Sequence, residues 1–496
     1  MKRSVTKIGL LALAAGISLL FWSCNAQLVG TDTTALNAAS DSGTARSITG
    51  KSGVMMQGFY WDVPAGGTWY DTMKSKAAEL ANMAGGYGID AIWFPPASKA
   101  DNGAYSMGYD PFDYYDLGQY NQKGSTETRF GSQAELKSAI ATFKSYGIAS
   151  MADIVLNHRS GGNSEYNPKT GTNTWTDFSA VASGKNKWHW DSFHPNNYCA
   201  GDPGAFAGFP DVCFASGSAY NDQKAWMNWL MSTTNAGFTQ WRFDYVKGLE
   251  PWVIKDMKAA TGGAFSVGEY WDANTSTLDW WTNAANASAF DFALYYTMKD
   301  ICNNTSGVGY LPNLVDYSKS FAAKNPMRAV TFVGNHDTDE IYTDKMMAYA
   351  FILTYQGYPS IWWKDYYNYG LSNLGGQWGN GIKQLVWVRG KLAGGAPSIQ
   401  NLKTDDGDML IYGSYGTSST SPGYIVIIND NPTSWKGSWV QTGNGYLKNK
   451  NLKVYAWYSS VSGQNYQPQT KYCDSNGWVE VWAPPRGYAV YSVDGL

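Results

Sequence analysis

From residue 53 onward, short apolar runs alternate with segments whose apolar residues recur at helical spacing. The runs "GVMMQGFYW", "GIDAIWFPP", "GIASMADIVLNH", "GFTQWRFDYV", "AFSVGEYW", "ASAFDFAL", "MRAVTFVGNHD" and "YPSIWW" each predict a strand. Between most of them lie helical runs such as "WYDTMKSKAAELANMA", "SQAELKSAIATFKSYG" and "DQKAWMNWLMSTTNAG". In the second of these, Ser132 is followed three residues later by Glu135, a capping-box pair. Eight such units within about 340 residues predict an α/β fold, a (β/α)8 TIM barrel. An open doubly wound sheet is disfavoured, because no Gly-rich phosphate loop follows the first strand.

Two regions break the alternation. Residues 159–221 are rich in Gly, Asn, Pro and Trp, lack a helical period, and predict a loop-rich excursion (domain B) between the third strand and its helix. From residue 393 the pattern becomes "DMLIYGS", "GYIVIIND", "LKVYAWYSS" and "GWVEVWAPPRGYAVYSV", short strands joined by turns. Residues 393–496 are therefore expected to form a C-terminal antiparallel β-sandwich domain. Residues 53–158 and 222–392 form the barrel.

The first residues carry a different signal. "MKRSVTK" is a basic leader and "IGLLALAAGISLLFW" an apolar stretch of signal-peptide length. It ends in "FWSC", so residues 1–24 resemble a lipoprotein-type export signal in which Cys24 is lipidated. Plain secretion with cleavage near Ala26 is the alternative. Residues 25–52 are small and polar and read as a flexible tether. Either form of export predicts an extracellular or cell-surface (outer-membrane lipoprotein) protein.

Composition narrows the partners. The formal net charge is −3 and the 37 Lys and Arg form no basic run, which excludes nucleic acid as an expected partner. A membrane is expected only through an anchor on Cys24, and the chain is expected to be a monomer. The bias is aromatic, with 23 Trp, 35 Tyr and 19 Phe. Many sit in loop-like stretches such as "GFYWDVPAGGTWY" and "WWKDYYNYG", where they offer flat platforms for sugar rings; a large aromatic core is the alternative. The five cysteines, Cys24, Cys199, Cys213, Cys302 and Cys473, are too few for a disulfide-built scaffold.

In a barrel of this kind chemistry gathers at the C-terminal ends of the strands. Those ends carry Asp153, Asn157 and His158, then Arg242 and Asp244, then Glu269, then His336 and Asp337. One such residue is ordinarily a strand end bonding a loop. Four strands ending this way form a pattern. Clustered carboxylates suit the cleavage of an acetal, in which one ionised group attacks while another gives a proton to the leaving oxygen. Arg242, two residues from Asp244, points to the same face and is expected to hold that aspartate ionised. Glu269 lies among Val267, Tyr270 and Trp271, a setting that raises a carboxyl toward an acid catalyst's range. His158 and His336 are expected to donate hydrogen bonds to sugar hydroxyls.

In this order the four segments resemble the signature regions of the α-amylase family of glycoside hydrolases, glycoside hydrolase family 13. The resemblance covers nearly the whole mature chain, including "MQGFYWD" and "MGYDPFDYYDLGQYNQKGSTETRFGS". It is similar to the calcium-dependent members of thermophile type with a compact second domain. The resemblance implies that Asp244 is the nucleophile, Glu269 the general acid/base, and Asp337 a third carboxylate that binds hydroxyls and distorts the sugar. It implies that Arg242, His158 and His336 orient these groups, that Tyr109 in "MGYDP" is the platform under the scissile glucose, and that Lys247 and Trp271 contact the leaving-group side. The implied activity is endo-hydrolysis of α-1,4-glucan (starch, glycogen, maltooligosaccharides) with retention of configuration. A maltooligosaccharide-forming or transglycosylating relative is the nearest alternative. A non-catalytic surface starch-binding protein is the alternative from another class, and the intact Asp244, Glu269 and Asp337 argue against it.

The resemblance also implies calcium on Asn157, Asp202, Gly204, Asp211 and Gly248, the glycines acting through their carbonyls. In "HPNNYCAGDPGAFAGFPDVC", His194, Cys199 and Cys213 match positions that bind zinc in some relatives. In an oxidising compartment a Cys199–Cys213 disulfide is the favoured alternative. Cys302 and Cys473 are expected to be free thiols.

Overall fold

The computed structural model describes residues 53–197, 204–206, 208–304, 309–374 and 381–496. The export signal, the tether, Cys24, Cys199 and Asp202 lie outside the described residues. Eight parallel strands close into a barrel: β1 (Met55–Gln57), β2 (Ala91–Trp93), β3 (Ala149–Ile154), β4 (Gln240–Phe243), β5 (Ser266–Gly268), β6 (Ser288–Phe290), β7 (Ala329–Phe332) and β8 (Tyr358–Trp362). Each pairs with its neighbours in sequence, and β1 pairs with β8 to close the ring. All eight expected runs contain a barrel strand, each shorter than the apolar run around it. In "ASAFDFAL" the strand stops at Asp291, whose side chain accepts from Leu294 N (2.8 Å) and opens helix Phe292–Cys302. The rest of that run is helical, since an Asp N-cap ends extended backbone.

The helix expected from "SQAELKSAIATFKSYG" spans Gln133–Ser145, and its capping box forms: Glu135 N donates to Ser132 Oγ (3.3 Å) and Ser132 N to Glu135 Oε2 (2.7 Å). The helical run at 69–84 is interrupted at Lys76, giving Trp69–Ser75 and Ala77–Ala81. Helix Gly217–Met231 starts inside the stretch read as excursion, because Ala219, Gln223, Trp226, Met227 and Leu230 bury one helical face. The excursion contains an antiparallel hairpin, Asn163–Asn167 with Thr172–Asp177. It is tied back to the end of β3 by Arg159 N to Pro210 O (3.1 Å) and Val212 N to Asn157 O (2.9 Å).

The C-terminal strands form a six-stranded antiparallel sheet and a two-stranded sheet. In the six-stranded sheet, strand Ser421–Asn429 sends Tyr424, Val426 and Ile428 into the core shared with the barrel. It sends Ile425 and Ile427 into a second core beneath the small sheet. Burial on both faces explains why "YIVII" shows no polar alternation. Cys302 and Cys473 are buried free thiols.

Candidate active site

Parallel register brings the strand-end residues together. Asp153 on β3 is the direct neighbour of Arg242 on β4, so both side chains leave the sheet on the same side. Arg242 Nη1 donates to Asp153 Oδ1 (2.8 Å) and to Asp244 Oδ1 (2.7 Å), and its Nη2 lies 3.1 Å from Glu269 Oε1. The arginine expected to hold Asp244 ionised is thus shared by three buried carboxylates. Tyr245, immediately after Asp244, adopts a left-handed conformation (φ 42°, ψ 48°), uncommon for a residue with a Cβ. That turn aims its amide at Glu269, and Tyr245 N donates to Glu269 Oε2 (3.0 Å).

Two further strand ends complete the arrangement. Gln57 on β1 donates from Nε2 to His336 Nδ1 (2.9 Å), which leaves the ring proton on Nε2, 3.2 Å from Asp337 Oδ2. Burial first, and then Arg242, hold His336 well below the usual histidine range, so it is neutral. Asn335 Oδ1 accepts from Asp337 N and Thr338 N (2.9 Å each), a turn that fixes the third carboxylate. Tyr109 OH and Trp93 Nε1 donate to Asp153 Oδ2 (2.7 and 3.0 Å). The Tyr109 ring stacks on His336 with centroids 5.0 Å apart.

Above these groups opens a cavity of about 770 Å³, lined by Asp244, Glu269, Asp337 and His336 with aromatic walls from Trp61, Tyr109, Phe206, Tyr245, Tyr270 and Trp271. Lys247 lines the same cavity and donates from Nζ to Trp271 O (3.0 Å). The Trp271 indole is braced by stacking on Phe292 (4.7 Å) and by donating from Nε1 to Tyr296 OH (2.7 Å). Burial dominates the proton affinities. It pushes Asp244 and Asp153 up to about 6 against the opposing pull of Arg242. It pushes Asp337 up to about 6 as well, with the nearby Glu269 adding to the rise. Glu269 is pushed up to about 7, with Asp244 adding to the effect of burial and Arg242 opposing it. The cluster therefore titrates close to neutrality, where a carboxylate and a protonated carboxyl coexist in it. The arginine limits the rise at Asp244 without cancelling it.

His158 stands apart from the other expected sugar contacts. It is fully buried, donates from Nε2 to Tyr109 O (2.8 Å), and is stacked under Phe206 and Phe209 (4.7 and 5.3 Å). It braces the backbone of Tyr109 and does not line the cavity, because the two excursion rings cover it. Gln57, Trp93 and Phe206 were not singled out from the sequence. Gln57 had a signal, being a polar residue closing the apolar strand "VMMQ".

The residues matched to calcium converge. Asn157 Oδ1 is buried without a hydrogen-bond partner, and a Cβ added to Gly248 would sit 2.1 Å from it. Asn157 Nδ2 donates to Gly204 O (3.4 Å), and buried Asp211 lies on the segment bridged to His158. A buried, orphaned amide oxygen packed against the Gly248 backbone is a hard-oxygen donor, of the kind that fits calcium. The zinc alternative does not fit. Cys213 is disulfide-bonded, so it offers no thiolate to join His194. Among the described residues, no group of three or more His, Cys, Asp or Glu could hold a metal.

Buried carboxylates of staggered proton affinity, lining an aromatic cleft at the C-terminal face of a (β/α)8 barrel, are the equipment of a glycoside hydrolase. Family models match residues 84–249 as the α-amylase catalytic domain and residues 424–492 as the α-amylase C-terminal domain. The α-amylase of Geobacillus stearothermophilus is 28% identical over 503 residues, covering 88% of this chain and 87% of its own. The glucan 1,4-α-maltohexaosidase of Bacillus sp. (strain 707) is 30% identical over 380 residues, covering 64% and 71%. An α-amylase structure from Malbranchea cinnamomea superposes with a TM-score of 0.66 at 19% identity, over 92% of this chain and 97% of that one, a likeness of fold. The chain belongs to the α-amylase family, glycoside hydrolase family 13.

Proposed function

We propose that the protein is an endo-acting α-amylase that cleaves α-1,4-glucan with retention of anomeric configuration. One observation carries the reading: Asp244 and Glu269 face the same cavity from the two ends of one guanidinium, the first near 6 and the second near 7. Two carboxyls held on one guanidinium suit the nucleophile and acid/base pair of a retaining enzyme, whose carboxyl groups lie about 5 Å apart. Asp244 attacks the anomeric carbon as Glu269 gives its proton to the departing oxygen; water, losing a proton to Glu269, then attacks that carbon and breaks its bond to Asp244. Asp337 and the Nε2–H of His336 grip sugar hydroxyls. Tyr109 supplies the apolar face, with Lys247 and Trp271 on the leaving-group side.

Asn157, Gly204, Asp211 and Gly248, with Asp202, would hold calcium, whose positive charge pins the excursion to the barrel. Export through the N-terminal signal, with Cys24 as lipid attachment point, belongs to the same reading; the mass of the mature N-terminus tests it. Reducing-sugar release from soluble starch, with Asp244→Asn as control, tests the activity. Absence of release by the native protein overturns it. NMR of the first products tests the stereochemistry, since initial β-anomers exclude retention. The maltohexaosidase relative favours a second reading, a maltooligosaccharide-forming enzyme, in which the product ladder from a long maltooligosaccharide collapses to one length.

A further inference from the structure

Strands Lys436–Gln441 and Trp478–Ala483 form the two-stranded antiparallel sheet of the C-terminal domain. Val440, Val479, Val481 and Ala483 face inward and are buried in the second core. The alternate positions face outward and hold three indoles, Trp439, Trp478 and Trp482, with Gly437, Gln441 and Glu480. Trp439 is 60% exposed and Trp478 42%. Register sets Gly437 opposite Trp482, Trp439 opposite Glu480, and Gln441 opposite Trp478. Trp439 therefore lies diagonally between the other two, and the indoles step along the ladder over roughly 13 Å at about 3.3 Å per residue. A Cβ on Gly437 would meet the Trp482 ring at 2.3 Å. That indole packs against the glycine and is half-buried, beside the two exposed ones.

We propose that this face is a second, non-catalytic carbohydrate site that binds an α-glucan chain; the identity of the sugar rests on the activity proposed above. Exposed indoles in a row mark an interaction surface. The outward set has no aliphatic residue, of the kind a packed protein interface would add. Between the rings stand an amide and a carboxylate, and Glu480 is paired with Lys471 (3.2 Å), so the ladder presents no net charge. An uncharged ligand with apolar ring faces and hydroxyl edges meets both features: C–H faces on the indoles, hydroxyls on Gln441 and Glu480. A long glucan chain reaches beyond the catalytic cavity. Holding it at a second point raises its effective concentration at the first.

The test uses the full-length protein and a W439A/W478A double variant, whose exposed positions leave the fold intact, with melting curves as the check. Co-sedimentation with insoluble starch granules is measured beside hydrolysis of soluble maltoheptaose, with cellulose as a control polymer. The expected result is a fall in granule retention of about tenfold or more with maltoheptaose hydrolysis unchanged. Equal retention by native and variant protein overturns the proposal, as does equal retention on cellulose. A native dimer that the double variant dissociates also overturns it, by making the face a contact between copies. Asp244→Asn separates the two readings: it should still adsorb without hydrolysing. Native protein that hydrolyses soluble starch but never adsorbs sinks this site and leaves the activity standing.

Discussion

Replacing Glu269 with Gln should leave the protein almost inactive and more stable, by an amount that depends on pH. The carboxyl lies against Arg242 and the Tyr245 amide, 6% exposed, and burial pushes it from 4.5 up to about 7. Because the folded form binds the proton more tightly than the unfolded chain, stability falls as pH rises from 4.5 to about 7 and levels off above it. At 1.36 kcal/mol per pH unit, holding this group charged costs the fold about 3 kcal/mol. The amide never carries the charge and replaces the neutral acid in the same surroundings, so the cost of charging disappears. The net expectation is a variant more stable by about 3 kcal/mol at pH 8 and no different at pH 4. Urea unfolding of both proteins at pH 4, 6 and 8 measures this, and starch hydrolysis should fall about 10²–10⁴-fold in parallel. A variant less stable than the native protein at pH 8, or a gap that does not change with pH, would refute the argument that the active site is a strained, stability-costing cluster.

The pH profile of kcat/KM should be a narrow bell, since Asp244 near 6 must be ionised and Glu269 near 7 protonated; full activity persisting above pH 8 counts against this assignment. Gly248→Val drives a side chain into Asn157 Oδ1, so chelation should lower the melting temperature of the native protein, reversibly with calcium, and scarcely move that of the variant. Equal responses would show that this cradle holds no calcium. Tyr109→Phe keeps the ring on His336 and loses only the bond to Asp153, so it should cost far less in kcat/KM than Tyr109→Ala; similar losses from both would remove the platform role. Iodoacetamide at pH 8 should spare Cys302 and Cys473 until the protein unfolds, because burial seals both thiols and raises them, Cys473 to about 11.

The parts legible in the sequence were those written in local periods. Strand and helix patterns repeat every two and every 3.6 residues, so the eight barrel units and the Ser132 capping box could be read from neighbouring positions. Polar residues closing apolar runs named Asp153, Asp244, Glu269 and Asp337 in the same way. Strand lengths were overestimated, since the runs continue into buried turns and, past Asp291, into a helix.

Only the tertiary structure decided how those groups share their charges and their space. Arg242 and Asp153 are 89 residues apart, and parallel register, which no local pattern encodes, makes them neighbours and gives one guanidinium three carboxylates. Burial then lifts both Asp244 and Glu269 well above the usual carboxylate range. The same long-range packing turns His158 under two excursion rings, sets Gln57 on His336 across 279 residues, and places Cys213 in a disulfide. The chemistry available was therefore determined by the sequence alone. Its arrangement came from contacts between elements far apart in the chain, where desolvation and register outweigh local preference.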